Sequence, residues 1–331
     1  MKHSLYSLLA IASIATLAGL AGRNAAACWP LVVVFAYVAF ATLVVGLSWR
    51  IVAWSLCPVP FRIPTVCGQQ RSLAWIKPSR LESPYTTLGV LGRMMLEILL
   101  FRSLFRNNKA GLSGGPRLVF GENKFLWLGA LAFHWSLLLI LLRHLRLLVV
   151  PVPRFVLGIE GVDGFFQIGA PVFYVTDAVI GVALVYLLQR RLRDPQVRYI
   201  SLFTDYFALL LLLGVAASGI WMRYFGRVDV TMLKRFAIGL ATFSPIALPS
   251  PNASFFIHLA LVGTLAIYLP FSKLVHMGGV FLSPTRNLAN NNRSRRHVNP
   301  WNYPVRVHTY EEWEEEFHDK IAAAGLPLER P

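Results

Sequence analysis

The sequence is poor in charge and poorer still in acid. Only 15% of its 331 residues are charged, and 16 Asp and Glu stand against 32 Lys and Arg. A soluble domain carries about 25% charged residues to cover its surface, so an ordinary cytosolic enzyme is excluded despite a length that would suit two or three soluble domains. Cysteine is scarce as well. Cys28, Cys57 and Cys67 form no CxxC pair, which argues against a disulfide scaffold and a cysteine-ligated iron–sulfur centre. The absence of CxxCH removes c-type haem. There is no GxGxxG, Walker loop, GxSxG or internal repeat, so the usual signatures of nucleotide binding and serine hydrolysis are missing. Apolar residues are abundant, at 56% of the chain, with a mean hydropathy of +0.55. The composition is that of a polytopic membrane protein.

A helix needs roughly 20 apolar residues to cross the hydrocarbon layer. Six stretches meet or approach this length: 4–22, 31–49, 125–142, 165–189, 203–222 and 253–272. The first also resembles a signal peptide, with Lys2 ahead of the apolar run and Ala25-Ala26-Ala27 after it. Its uncharged run is long for a signal sequence, so it reads as a retained helix. The predicted fold is an all-α bundle of six transmembrane spans.

The net charge of +16 raises the question of nucleic acid, and its distribution answers it. With the N-terminus cytoplasmic, 24 of the 32 Lys and Arg fall on the inside, including Arg190, Arg191, Arg193 and Arg198 in one short loop. Cytoplasmic loops of membrane proteins retain positive charge in this way. The chain is expected in the cytoplasmic (inner) membrane in contact with lipid, with a cytoplasmic C-terminus and no nucleic-acid partner. Its regions are then 1–22 (first span), 31–56 (second span), 57–123 (a cytoplasmic loop opening with Pro58, Pro60 and Pro64), 124–280 (a four-span core) and 281–331 (a cytoplasmic tail). Within the loop, 87–105 is apolar with spaced Arg and Glu, suiting a helix along the membrane surface, a short re-entrant helix or one that docks a partner. In the tail, 310–325 reads as a short acidic helix ended by glycine, with Trp313 and Phe317 four residues apart as an apolar edge.

Four of the eight histidines lie in or beside two spans: His134 and His144 in the third, His258 and His276 in the sixth. Ionisable residues inside a membrane are costly and mark functional sites. The third span runs outward and the sixth inward, so depth pairs His134 with His276 and His144 with His258. Each pair could ligate one haem iron from both faces, as in bis-histidine b-type cytochromes. The helix spacings are ten and eighteen residues, about 15 Å and 27 Å of rise. Pro270 can kink or end the sixth helix and absorb part of this difference. A zinc or copper site needs its ligands within about 2 Å of one ion, which histidines ten residues apart on one helix cannot supply.

With these residues aligned, the chain resembles the membrane cytochrome b (gamma) subunits of respiratory nitrate reductases, which carry histidine pairs at the same spacings over five spans. The resemblance covers roughly 31–280. Three further segments, 62-RIPTVCGQQRSLAWIKP-78, 196-QVRYISLFTDYF-207 and 271-FSKLVHMGGVFLSPTRNLANNNRSRRHVNPWN-302, are similar to the DsrM branch of that family and extend the likeness over nearly the whole chain. DsrM subunits are membrane haem b components of DsrMKJOP complexes associated with dissimilatory sulfite reductase. The resemblance implies two non-covalent haem b groups, exchange of electrons with a membrane quinone, and a DsrK-like cytoplasmic iron–sulfur partner beside the other subunits of such a complex. It makes the chain an electron-transfer subunit, with the sulfur chemistry in its partners. The alternatives are a nitrate reductase-type cytochrome b subunit and, more distantly, a proton-coupled permease.

Secondary candidates flank the histidines. Arg143, Arg146 and Arg223 lie at the outer end, and a guanidinium fork can bind a haem propionate with two hydrogen bonds. Snorkelling to lipid headgroups is the competing reading. Asp177, expected in mid-span, is a candidate for a proton path or the quinone site, or else a packing carboxyl.

Overall fold

The computed structural model describes residues 2–57, 59, 68–106, 109–112, 114–166, 171–247, 252–295 and 308–329. Cys67, His297 and the prolines at 58, 60 and 64 lie outside the described residues. The helices, in chain order, are α1 (Lys2–Arg23), α2 (Ala25–Ser55), α3 (Thr87–Leu100), α4 (Arg102–Phe105), α5 (Lys124–His144), α6 (Arg154–Asp163), α7 (Val175–Arg193), α8 (Pro195–Ile200), α9 (Phe203–Tyr224), α10 (Val230–Ala241), α11 (Ala253–Tyr268), α12 (His276–Leu282), α13 (Pro284–Asn287) and α14 (Tyr310–Ala323). A small antiparallel hairpin, β1 (Lys109–Leu112) and β2 (Leu118–Gly121), pairs Lys109 with Gly121 in the loop before α5. No sequence signal had suggested it.

Among the described residues five helices are long and apolar enough to cross a membrane: α1, α2, α5, α9 and α11, with α5 and α11 each extended by a 3₁₀ turn. The stretch expected as a fourth span, 165–189, differs from that expectation. Its helix begins only at Val175, and Arg190, Arg191 and Arg193 fill its last turn. The charged end removes α7 from the set defined by length and apolarity. It nevertheless packs between α5 and α9.

Helix α11 is central, packing against α1, α2 and α9. Ser7 at the start of α1 donates to the Phe203 carbonyl at the start of α9 (3.1 Å), and Tyr268 at the end of α11 reaches the Thr204 carbonyl (3.1 Å). Helices α1 and α9 are therefore parallel and α11 runs against both. Small residues let these helices close up. A Cβ on Gly46 would lie 2.7 Å from Pro270, so only glycine admits α2 to that approach. Cores of Phe133, Ile180 and Leu184, and of Ile11, Leu211 and Leu261, hold the two halves of the bundle. Many other large apolar side chains face outward, as lipid-facing surfaces require.

The sixth expected span, 253–272, is present as Ala253–Phe271, its last turn 3₁₀ in form. Helix α11 stops at Tyr268, Pro270 sits buried in a 3₁₀ turn, and a second turn at Lys273–Val275 leads into α12, which opens with His276. Proline lacks the N–H that would continue the ladder and its ring clashes with the preceding turn. The acidic tail helix forms as expected, capped by Thr309 with Glu312 and ended by Gly325 at φ +67°.

Candidate functional site

The helical break delivers His276 to His134. Their rings stand edge to face with centroids 5.9 Å apart. Two imidazoles whose nitrogens each lie about 2 Å from a shared metal span a comparable distance. At the opposite end of the bundle, His258 on α11 lies near enough to His144 at the end of α5 to interact with it electrostatically. The structure thus brings His134 to His276 and sets His258 within electrostatic range of His144.

The tautomers follow from the hydrogen bonds. Carbonyl oxygens only accept, so Nδ1–H must donate from His134 to Ala130 (2.8 Å), from His144 to Ile140 (2.7 Å) and from His276 to Lys273 (2.9 Å). Ser218 gives its one proton to the Val215 carbonyl at 3.0 Å, leaving its oxygen to accept from His258 Nδ1–H at 2.9 Å. In all four rings Nε2 keeps its lone pair. Metal-binding histidines are oriented in this way, with the second nitrogen donating to a carbonyl or hydroxyl. A Cβ on Gly219 would come within 3.1 Å of the His258 ring, so glycine on α9 makes room for the imidazole. The residues thus fit a bis-imidazole ligand at each end. Among the described residues no group of three or more His, Cys, Asp and Glu gathers to hold a metal ion.

The other candidates are placed differently. Asp177 lies in the first turn of α7 instead of mid-span, where a carboxylate complements the positive helix end. It is buried and accepts from Arg143 at 2.7 Å and from the Tyr224 hydroxyl at 2.8 Å. Arg143, also buried, approaches Asp163 at 3.2 Å and donates to the Thr176 hydroxyl. Asp163 in turn accepts from Thr176 through both the backbone N–H (2.8 Å) and the hydroxyl (2.6 Å). The Tyr174 ring lies between two guanidiniums, Arg143 at 3.8 Å and Arg223 at 4.0 Å. Arg223 also donates to the Val172 carbonyl, and Arg146 pairs with Glu160 at 2.9 Å. Sequence reasoning missed Asp163, Tyr174 and Tyr224. The available signal was rarity, since an acid inside the apolar stretch 155–166 of so acid-poor a chain needs a partner.

A family profile described as nitrate reductase gamma subunit matches residues 94–294. The chain belongs to this family. It is also similar to an Hdr-like menaquinol oxidoreductase cytochrome b-like subunit of Archaeoglobus fulgidus (44% identical, covering 81% of this chain and 82% of the relative). A subunit of the same description from Archaeoglobus profundus is 38% identical over 80% of each chain. The nitrate reductase gamma chain of Bacillus subtilis is 32% identical over 50% of this chain and 77% of its own length. The matched region contains all four paired histidines, Arg143, Arg146, Asp177 and Arg223.

Proposed function

We propose that this member of the nitrate reductase gamma family is a di-haem b membrane subunit that passes electrons between the quinone pool and a cytoplasmic iron–sulfur partner. The observation that carries this reading is the set of four imidazoles, paired at the two ends of the bundle, each with Nδ1 bonded and Nε2 left as an acceptor. His134 and His276 would hold one iron toward the cytoplasm, and His144 and His258 the other toward the outer face. Haem b, when bound, supplies one-electron chemistry inside the membrane. The chain's own part is to orient the ligands through carbonyls and Ser218, and to keep the segments between them dry with apolar helices.

The fork of Arg143 is committed to Asp163 and Asp177, and Arg146 pairs with Glu160, so Arg223 is the propionate partner we assign. Asp177 with Tyr224 remains our candidate for proton handling beside a quinone near the outer histidines. We take α7 as a sixth span because it packs between two spanning helices, and place the C-terminus in the cytoplasm on the charge distribution. The Archaeoglobus relatives are named for menaquinol, which favours that quinone class. The loop segments at 62–78, 196–207 and 271–302 favour a DsrK-like partner in a DsrMKJOP-type complex of sulfur metabolism. A nitrate reductase-type complex is the second reading, favoured by the Bacillus subtilis relative.

The test is a reduced-minus-oxidised spectrum with pyridine haemochrome quantitation on purified protein. We expect two b-type haems per chain, one lost in His144→Ala and the other in His276→Ala. Folded protein without haem refutes the reading.

A further inference from the structure

Helix α3 lies outside the spans, yet it contacts both chain segments that carry the His134/His276 pair. The last carbonyls of a helix have no partner within it. In α3 they are taken by α5, where the indoles of Trp135 and Trp127 donate to the carbonyls of Leu99 (3.0 Å) and Leu100 (2.6 Å). The polar face of α3 is held by the chain beyond His276. Buried Arg93 donates to the Arg286 carbonyl at 2.6 Å, and Glu97 pairs with the Arg286 guanidinium at 3.1 Å. Arg93 and Glu97 stand four residues apart and so share one face.

Phe101 then ends α3 in the left-handed conformation, at φ 49° and ψ 45°. Glycine or asparagine is usual at such a cap. Glu97 braces the turn by accepting from Ser103 through its backbone N–H (3.1 Å) and its hydroxyl. The conformation gives the bulky residue a position: its ring stands edge-on to His134 with centroids 4.9 Å apart. Phe133 flanks the same imidazole with centroids 4.8 Å apart. Four residues on, Phe105 packs edge to face on Trp127 with centroids 5.1 Å apart.

We propose that α3 is a bracket holding the two inner histidine segments in register, and that Phe101 is the positioning residue through which it sets the orientation and water exposure of His134. The redox consequence rests on the di-haem reading. Burial around a ligated centre disfavours its more positive, oxidised state, so removing the cover lowers the reduction potential.

Phe101→Gly separates ring from backbone, because glycine suits a left-handed cap. In a potentiometric titration of the purified haem-loaded subunit, one of the two midpoint potentials should fall, the one that His276→Ala abolishes. The other should stay, and Phe101→Leu should recover part of the difference. Two unchanged potentials, or an equal shift of both, overturn the proposal. A second readout needs no haem. Carbethoxylation of His134 by diethyl pyrocarbonate in haem-stripped protein, followed by mass spectrometry, should be several-fold faster in Phe101→Gly. Equal rates overturn the bracket. If the parent protein binds no haem, the di-haem reading falls by itself and these rates decide for or against the contact.

Discussion

At the residue scale, a neutral imidazole has one donor and one acceptor, so fixing the donor fixes what remains for a ligand. Three of the paired histidines use a carbonyl on the preceding turn of their own segment, and His258 uses Ser218 on a neighbouring helix. The first three arrangements are local, and spacing alone makes them accessible to sequence reasoning. The fourth depends on how α9 meets α11, and nothing in the sequence around His258 points to residue 218. The same limit hid the Arg143 cluster. Its members come from α5, α6, α7 and α9, and a charge placed beside a histidine in sequence turned out to face two carboxylates from elsewhere. Removing one partner of such a buried set leaves the other charges without compensation, at a cost of about 3–5 kcal/mol. Arg143→Leu should therefore lower the thermal unfolding temperature of detergent-solubilised protein markedly. Adding Asp163→Asn and Asp177→Asn to it should recover much of the loss. An Arg143→Leu protein with the parental unfolding temperature would mean that the cluster contributes nothing.

At the scale of elements, the break at Pro270 matters more than the helix it ends. The eighteen residues from His258 to His276 suggest one long span, whereas the structure divides them into α11, two 3₁₀ turns and α12. A proline in the sequence made a break legible, but not the direction taken after it. That direction depends on Gly46 admitting the Pro270 ring and on Arg50 donating to its carbonyl at 3.2 Å. Pro270→Ala restores the N–H and removes the ring clash, so α11 should run on and carry His276 away from His134. On the proposed di-haem reading, the haem assigned to His276 should be lost from the pyridine haemochrome count while the other stays; retention of both would show that the turn is not what places His276.

The loop before α3 is a second element whose docking can be followed, through pH. Glu82 accepts from Arg102, and that hydrogen bond, helped by attraction to Arg102 and Arg106, holds its carboxyl below the ordinary value of 4.5 against the opposing cost of burial. A carboxylate with a depressed folded value stabilises fully above its unfolded value and loses that contribution as pH falls through the folded one. With both side chains about a fifth to a quarter exposed, the pair is worth up to about 1 kcal/mol. Amide exchange in residues 79–106, corrected for intrinsic rates, should accelerate as pH drops below about 4.5, and Glu82→Gln should abolish the pH dependence. A Glu82→Gln protein with an unaltered profile would assign the effect to another group.

At the scale of the molecule, the direction of the bundle decides which histidine pair would face the proposed iron–sulfur partner. Sequence carries this through charge, since a lysine or arginine near a helix end resists translocation wherever it sits in the fold. The structure groups those charges: Arg93, Arg190, Arg191, Lys273 and Arg286 all lie at the end that holds His134 and His276. Cysteine provides the test. Cys57, exposed and free, follows α2 at that same end, where Trp54 packs near Gly278 and Gly279. With Cys28 and Cys67 replaced by alanine, a membrane-impermeant maleimide should label Cys57 in inverted vesicles and leave it unlabelled in right-side-out ones. The reverse pattern would turn the bundle over. His144 and His258 would then face the cytoplasm, and the bracket proposed for α3 would cover the histidines farthest from the proposed soluble partner.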